Sequence, residues 1–122
     1  MLHKPTSLIM IASTPNPPYY AVIFTSILDH PDPEYVKLNH FLIKEAQKLD
    51  GFLGEESARN EYGLSVSYWR DLDSIAQWRT NADHQWAKEK GKKEFYKEYK
   101  IRIARVQRDN YFKKPNPTSA HL

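Results

Sequence analysis

The segment at residues 20–28, Tyr-Ala-Val-Ile-Phe-Thr-Ser-Ile-Leu, constrains the fold more than any other part of the chain. Its β-branched and aromatic residues, and its length, fit a strand. Side chains alternate across a strand, so Tyr20, Val22 and Phe24 share one face and Ala21, Ile23 and Ile27 the other. Both faces are apolar, so both have to be covered. The chain's own helices can cover one of them. A soluble monomer does not leave the other, an apolar sheet face of that size, in water.

The neighbouring elements follow from local signals. Asp32-Pro33-Glu34 supplies an N-cap, a proline at the first helical position and an acid in the first turn. Tyr35, Leu38, Leu42, Ala46 and Leu49 continue at helical spacing, and Gly51 ends the helix. Residues 52–60 form a second strand, loosened by Gly54 and two glutamates, and Tyr62-Gly63 turns the chain. Residues 64–69 return as a third strand, with Leu64, Val66 and Tyr68 on one face and Ser65, Ser67 and Trp69 on the other. Asp71 or Asp73 caps a second helix carrying Ile75, Trp78 and Ala82. Asn81-Ala82-Asp83 breaks that helix and restarts a helical piece over about 84–92. Residues 99–112 close the domain as a long strand. Its apolar register slips between Ile103 and Ala104, the mark of a bulge or a change of burial partner.

The order is β-α-β-β-α-β, an α+β ferredoxin-like protomer: an antiparallel sheet with helices on one face. Strands one and four both read as apolar on two sides. The expected cover for the helix-free face is a second copy of the chain, packed sheet against sheet as a homodimer.

Residues 1–18 read as an extended N-terminal arm, because Pro15, Pro17 and Pro18 follow a short apolar run. Residues 19–112 form the domain, and 113–122, with Pro115 and Pro117, a flexible C-terminal tail. The apolar run at 8–12 is too short for a signal peptide. No apolar stretch nears the length of a membrane span. The expectation is a cytoplasmic protein with no membrane partner. The chain has no cysteine, which excludes a disulfide scaffold, thiolate metal sites and a cysteine nucleophile. Eleven basic against four acidic side chains lie between Gln85 and Lys114, against a net acidic remainder. Such a basic third attracts anions or simply forms solvated helix and edge-strand faces.

Motifs exclude more chemistry than they assign. The histidines, His3, His30, His40, His84 and His121, share no metal-ligand spacing, so no metal is expected. No nucleophile elbow surrounds Ser65 or Ser67, and the four glycines form no phosphate loop. RNA-recognition modules share this element order, but the third strand here lacks their basic residue and inner aromatics, so no nucleic-acid partner is expected. What remains is an aromatic cluster: Trp69, Trp78, His84, Tyr96 and Tyr99. If a cavity lies between sheet and helices, Tyr68, Arg59 and Phe41 join them in lining it. Such a pocket suits a flat, oxidisable or aromatic small ligand. Each of these residues also has a plainer role open to it. Trp78 and Trp86 can fill the core along the stripe of Ile75 and Ala82, and Trp86 the more so. His84 can be a helix-start residue bonded to backbone or water, and Arg59 a surface or interface cation.

The chain resembles one branch of the antibiotic biosynthesis monooxygenase domain family over residues 10–112. The likeness rests on residues 14–26, on Gly51-Phe52-Leu53-Gly54-x-Glu56-Ser57-x-Arg59, and on Val66-Ser67-Tyr68-Trp69. Ile75-x-x-Trp78, His84 with Gly91, Tyr96 and Tyr99, and Arg102-x-Ala104-Arg105-Val106 complete it. The resemblance implies a dimeric α/β barrel of ferredoxin-like protomers, with a pocket between sheet and helices. Members include cofactor-free oxygenases of polycyclic phenols or quinols, whose substrate is itself the reductant, and haem-degrading enzymes. By this likeness His84 is the candidate base. Tyr68 or Tyr96 donates to a ligand oxygen, and Trp78 shapes the wall. The haem branch places its ligand histidine ten residues after the tryptophan and an asparagine on the first strand. Here that count reaches Lys88, and the first strand has no asparagine. Two readings stand: a cofactor-independent monooxygenase of a small aromatic or quinol-type compound, and a non-catalytic dimeric small-ligand-binding protein.

Overall fold

The computed structural model describes residues 10–116. The expectations for residues 1–9 and 117–122, including His3 and His121, lie outside the described residues. The element order is β1 (Tyr19–Leu28), α1 (Pro33–Gln47), β2 (Phe52–Arg59), β3 (Gly63–Trp69), α2 (Leu72–Thr80), α3 (Ala82–Glu94) and β4 (Tyr96–Val106). The strands form one antiparallel sheet in the order β2-β3-β1-β4, and the helices lie on one face of it. This is the α+β ferredoxin-like arrangement expected of the sequence.

The helix starts are set by side chains that satisfy otherwise unpaired backbone N–H groups. The Asp32 carboxylate accepts from the Glu34 N–H at 2.9 Å, with Pro33 opening α1. Asp71, rather than Asp73, caps α2 and accepts from the Ser74 N–H at 2.8 Å and its hydroxyl at 2.7 Å. Asn81 ends α2 in an extended conformation, and its side chain accepts from the His84 N–H at 3.0 Å, starting α3.

Two packed clusters tie helices to sheet. Leu38, Ala87 and Phe95 form one, and Ala46, Trp69 and Ile75 the other. Trp69 is completely buried. Trp86, expected in the core, stands 56% exposed and meets Phe41 edge-on in a shallow groove between α1 and α3. The reason is helical phase: His84, Ala87 and Lys88 form the inward face of α3, and Trp86 falls outside it.

Cross-strand pairs give each strand's faces. Ala21 pairs with Tyr68 and Ala104, and Ile23 with Val66 and Arg102, on the helix-free face. β1 is therefore apolar on both faces. β4 is not, because Lys100 and Arg102 accompany Ala104 on the helix-free side. No bulge interrupts β4 at Ile103 and Ala104. The apolar residues change burial partner there, from the helix-covered face to Ala21 on the other. The bulges lie elsewhere, at Lys97 beside Ile27 and Leu28, and at Leu53 in β2. β4 also ends at Val106 rather than 112, because its partner β1 begins at Tyr19.

The segments flanking β1 and β4 lie against the helix-free face. The Ala12 N–H donates to Glu56 Oε2 at 2.8 Å, and the Tyr19 hydroxyl donates to Asp109 Oδ2 at 2.5 Å. Gly54 makes room for the arm. Its φ is +153°, and a Cβ there would stand 3.0 Å from the Ala12 methyl. Gly54→Ala is expected to cost about 1–3 kcal/mol in urea denaturation, since strained backbone and lost arm packing add. A variant as stable as the parent would show that the arm is not seated there.

Candidate functional site

A cavity of about 220 Å³ lies between sheet and helices, and both core clusters supply its walls. Its floor is the helix-facing side of the strands: Val22 and Phe24, Ser65 and Ser67, and Ile101 and Ile103. Its roof comes from α1, through Leu38, Asn39 and Leu42, and from α3, through His84, Ala87 and Lys88. Apolar surface dominates, with a few polar groups spaced along it, as in small-molecule sites.

At one end the rings form a ladder. Phe52 meets Trp69 edge-on at 5.2 Å between centroids, and Trp69 stacks on Trp78 at 6.2 Å. Trp78 stacks on His84 at 4.4 Å with only 13° between planes. The Trp69 Nε1–H donates to the Ser67 hydroxyl at 2.9 Å, which satisfies the one polar atom of a buried indole. His84 Nδ1 lies 2.9 Å from the Trp78 carbonyl oxygen. A carbonyl only accepts, so Nδ1 carries the proton and Nε2 keeps its lone pair. Burial pushes the imidazole below its usual value. The Trp78 carbonyl works against this, and the nearby Lys88 charge reinforces it. His84 is thus a neutral imidazole with a defined tautomer in an apolar wall.

The other end is phenolic. Tyr96 packs edge-on against Phe24 at 5.4 Å and Tyr35 at 5.7 Å, with its ring seated on Gly91. Its hydroxyl stands 3.5 Å from that of Tyr35. Burial first, and then the contact with Tyr35, push the Tyr96 phenol far above its ordinary value, so it stays protonated. Along α3, His84 and Gly91, which seats the Tyr96 ring, lie about 10 Å apart.

Of the residues singled out in the sequence, His84, Trp78, Trp69, Tyr96 and Tyr99 come together around this cavity. Tyr68, Arg59 and Phe41 do not. Tyr68 lies on the helix-free face, where it donates to Glu56 Oε1 at 2.7 Å. Burial and that carboxylate raise it to about 12. Arg59 lies over the Tyr35 ring at 5.0 Å and donates to Ser26 and Tyr35, bracing one wall from behind. Phe41 faces Trp86 in the outer groove. The structure adds Glu55, Lys88 and Asn39 to the lining. Glu55 accepts from the Ser65 hydroxyl at 3.1 Å. Its direction was hidden by the Leu53 bulge, which turns Phe52 and Glu55 to the same side. Among the described residues no group of three or more carboxylates or histidines is placed to hold a metal. No helix among them is long and apolar enough to cross a membrane.

Comparison with known proteins places this geometry among relatives. No family model matches the chain. The uncharacterized protein YqjZ of Bacillus subtilis is 42% identical over 104 residues, which cover 84% of this chain and 91% of that one. The jasmonate monooxygenase ABM of Pyricularia oryzae is 34% identical over 95 residues, 71% of this chain but 43% of that longer protein. Among solved structures, SnoaB, a cofactor-independent oxygenase from Streptomyces nogalater, superposes with a TM-score of 0.67 at 7% identity. That superposition covers 75% of this chain and 95% of SnoaB, a likeness of fold.

The His84 environment sets a pH dependence. A lowered folded value means that stability present above the ordinary 6.5 is lost as pH falls through the folded value. His84→Gln is expected to flatten the fall in urea stability between about pH 7 and 5. Nitrogen shifts of the His84 ring in the parent protein should report the Nδ1–H tautomer. An Nε2–H tautomer, or an unchanged acid slope in the variant, would contradict this geometry.

Proposed function

The chain belongs to the family of the Bacillus subtilis protein YqjZ, and we propose that it is a cofactor-independent monooxygenase of a small aromatic or quinol-type compound. The observation that carries this reading is His84: a neutral imidazole with its Nε2 lone pair available, fixed by Trp78 in the wall of a largely apolar cavity. The names of a relative and of a structural neighbour, a jasmonate monooxygenase and a cofactor-independent oxygenase, support the reaction class.

In this reading a phenolic or quinol ring lies in the apolar middle of the cavity. His84 Nε2 accepts the ring hydroxyl proton, and the resulting anion is electron-rich enough to reduce dioxygen directly. The cavity excludes bulk water from that anion. The balance closes without an added reductant. A ring C–H and the ring hydroxyl supply the electrons, one oxygen atom becomes the new quinone carbonyl, and the other leaves as water. Tyr96, held as a phenol, donates to a ligand oxygen at the far end, and Trp78 fixes the ring plane.

The assembly we propose is a homodimer closed through the helix-free sheet face. Ile23, Ile27, Leu64 and Val66 give that face its apolar centre, and Leu64 is 43% exposed in the single chain. A face of this composition is covered in solution by another apolar surface, and a second copy brings a matching one.

The test is oxygen uptake with 1,4-dihydroxynaphthalene and anthrone, corrected for autoxidation, with no flavin, haem or metal added. For anthrone, one dioxygen consumed per quinone formed is expected. His84→Gln should lower kcat about 10²- to 10⁴-fold, as loss of a general base does. Unchanged turnover in that variant would remove His84 from the chemistry. Binding of these compounds without enzymatic uptake would instead leave a dimeric ligand-binding protein.

A further inference from the structure

Lys88 follows His84 by one helical turn on α3, is half-buried, and lines the same cavity. Two of the other three lysines of that helix form ion pairs, Lys90 with Glu94 at 2.9 Å and Lys92 with Glu89 at 3.7 Å, and Lys93 has Glu89 four residues before it. Lys88 has no carboxylate three or four residues away; those positions are His84, Gln85, Gly91 and Lys92. Among the described residues it makes no ion pair and no side-chain hydrogen bond. Arg79, at the end of α2, adds a second cation to the lining without an ion pair of its own among the described residues. Glu55 is the single carboxylate among the lining residues, and it stands on β2, hydrogen-bonded to Ser65.

A lysine whose stem lies half-buried along apolar walls brings a cation to the cavity, where an entering anion can meet it. Among the described residues no carboxylate pairs with Lys88, which leaves the cation open to a ligand's anion. We propose that Lys88, with Arg79, holds a carboxylate of the cavity's ligand, so that the protein selects small ring compounds bearing an acid over neutral ones. This rests on the cavity being the ligand site, and it does not depend on turnover. An acid held at Lys88 would lay its ring along Val22, Phe24 and Leu42, with the Trp78–His84 stack beside it. The anchoring charge is then separate from the reacting hydroxyl.

The shared chemistry, an oxygen anion, could come from the carboxylate or from an ionised ring hydroxyl, and the probes separate the two. Calorimetric titration at pH 8 would compare 6-hydroxynaphthalene-2-carboxylate, its methyl ester and 2-naphthol. For the parent protein we expect the acid to bind at least about tenfold more tightly than the ester or the naphthol. In Lys88→Met the acid should lose most of its advantage over the ester while the ester is unaffected, Arg79 retaining the remainder. In Lys90→Met, which alters the outer groove, the preference should be retained. An ester that binds the parent as well as the acid does, or a Lys88→Met variant that keeps the preference, overturns the assignment. Failure of all three probes to bind overturns it together with the ligand site. Binding with the expected preference but no oxygen uptake supports it and removes only the monooxygenase chemistry.

Discussion

The indole of Trp69 meets Phe52 edge-on and Trp78 nearly face-on, and through Trp78 it sets the plane of the His84 imidazole. The sheet, α2 and the start of α3 are all tied to this ladder of rings. Trp69 ends β3 and is fully buried, so its position is fixed by the sheet. Asp71 starts α2 two residues later, which delivers Trp78 onto the indole. Asn81 then breaks the helix and restarts it, so that the Trp78 carbonyl, at the helix end, accepts from the Asn81 N–H at 3.1 Å and also from His84.

Much of this was legible in the sequence, because it depends on local rules. The doubly apolar β1, the Asp32 and Asp71 caps and the break at Asn81 are each written in a few adjacent residues. The strand alternation of β3 also carried more information than the aromatic cluster did. Leu64, Val66 and Tyr68 share one face, so Tyr68 and Trp69 never could line one cavity. What was hidden depends on a single extra residue or on helical phase. The Leu53 bulge turns Glu55 inward and leaves Glu56 to bind the N-terminal arm and Tyr68. Trp86 lies one position from the buried Ala87, and that one step puts it in water.

The basic third of the chain also resolves into parts with different fates. Lys90 and Lys92 form exposed pairs along α3, worth little individually. Lys100 and Arg102 lie on the helix-free face of β4, where they flank the apolar centre formed by β1 and β3. Lys88 alone of the α3 lysines turns toward the cavity. A charge count over the segment therefore describes no single anion-binding surface. It sums a solvated helix face, the rim of a sheet face and one cation that lines the cavity.

The cavity as the ligand site is the point on which the functional reading turns, and an NMR titration of isotope-labelled protein with 2-naphthol addresses it most directly. Shifts should concentrate on the indole N–H of Trp78, the His84 ring and the methyls of Leu42, Ile101 and Ile103, all of which line the cavity. Shifts confined to Trp86 and its neighbours Phe41 and Lys90 would place the ligand in the outer groove and contradict the account.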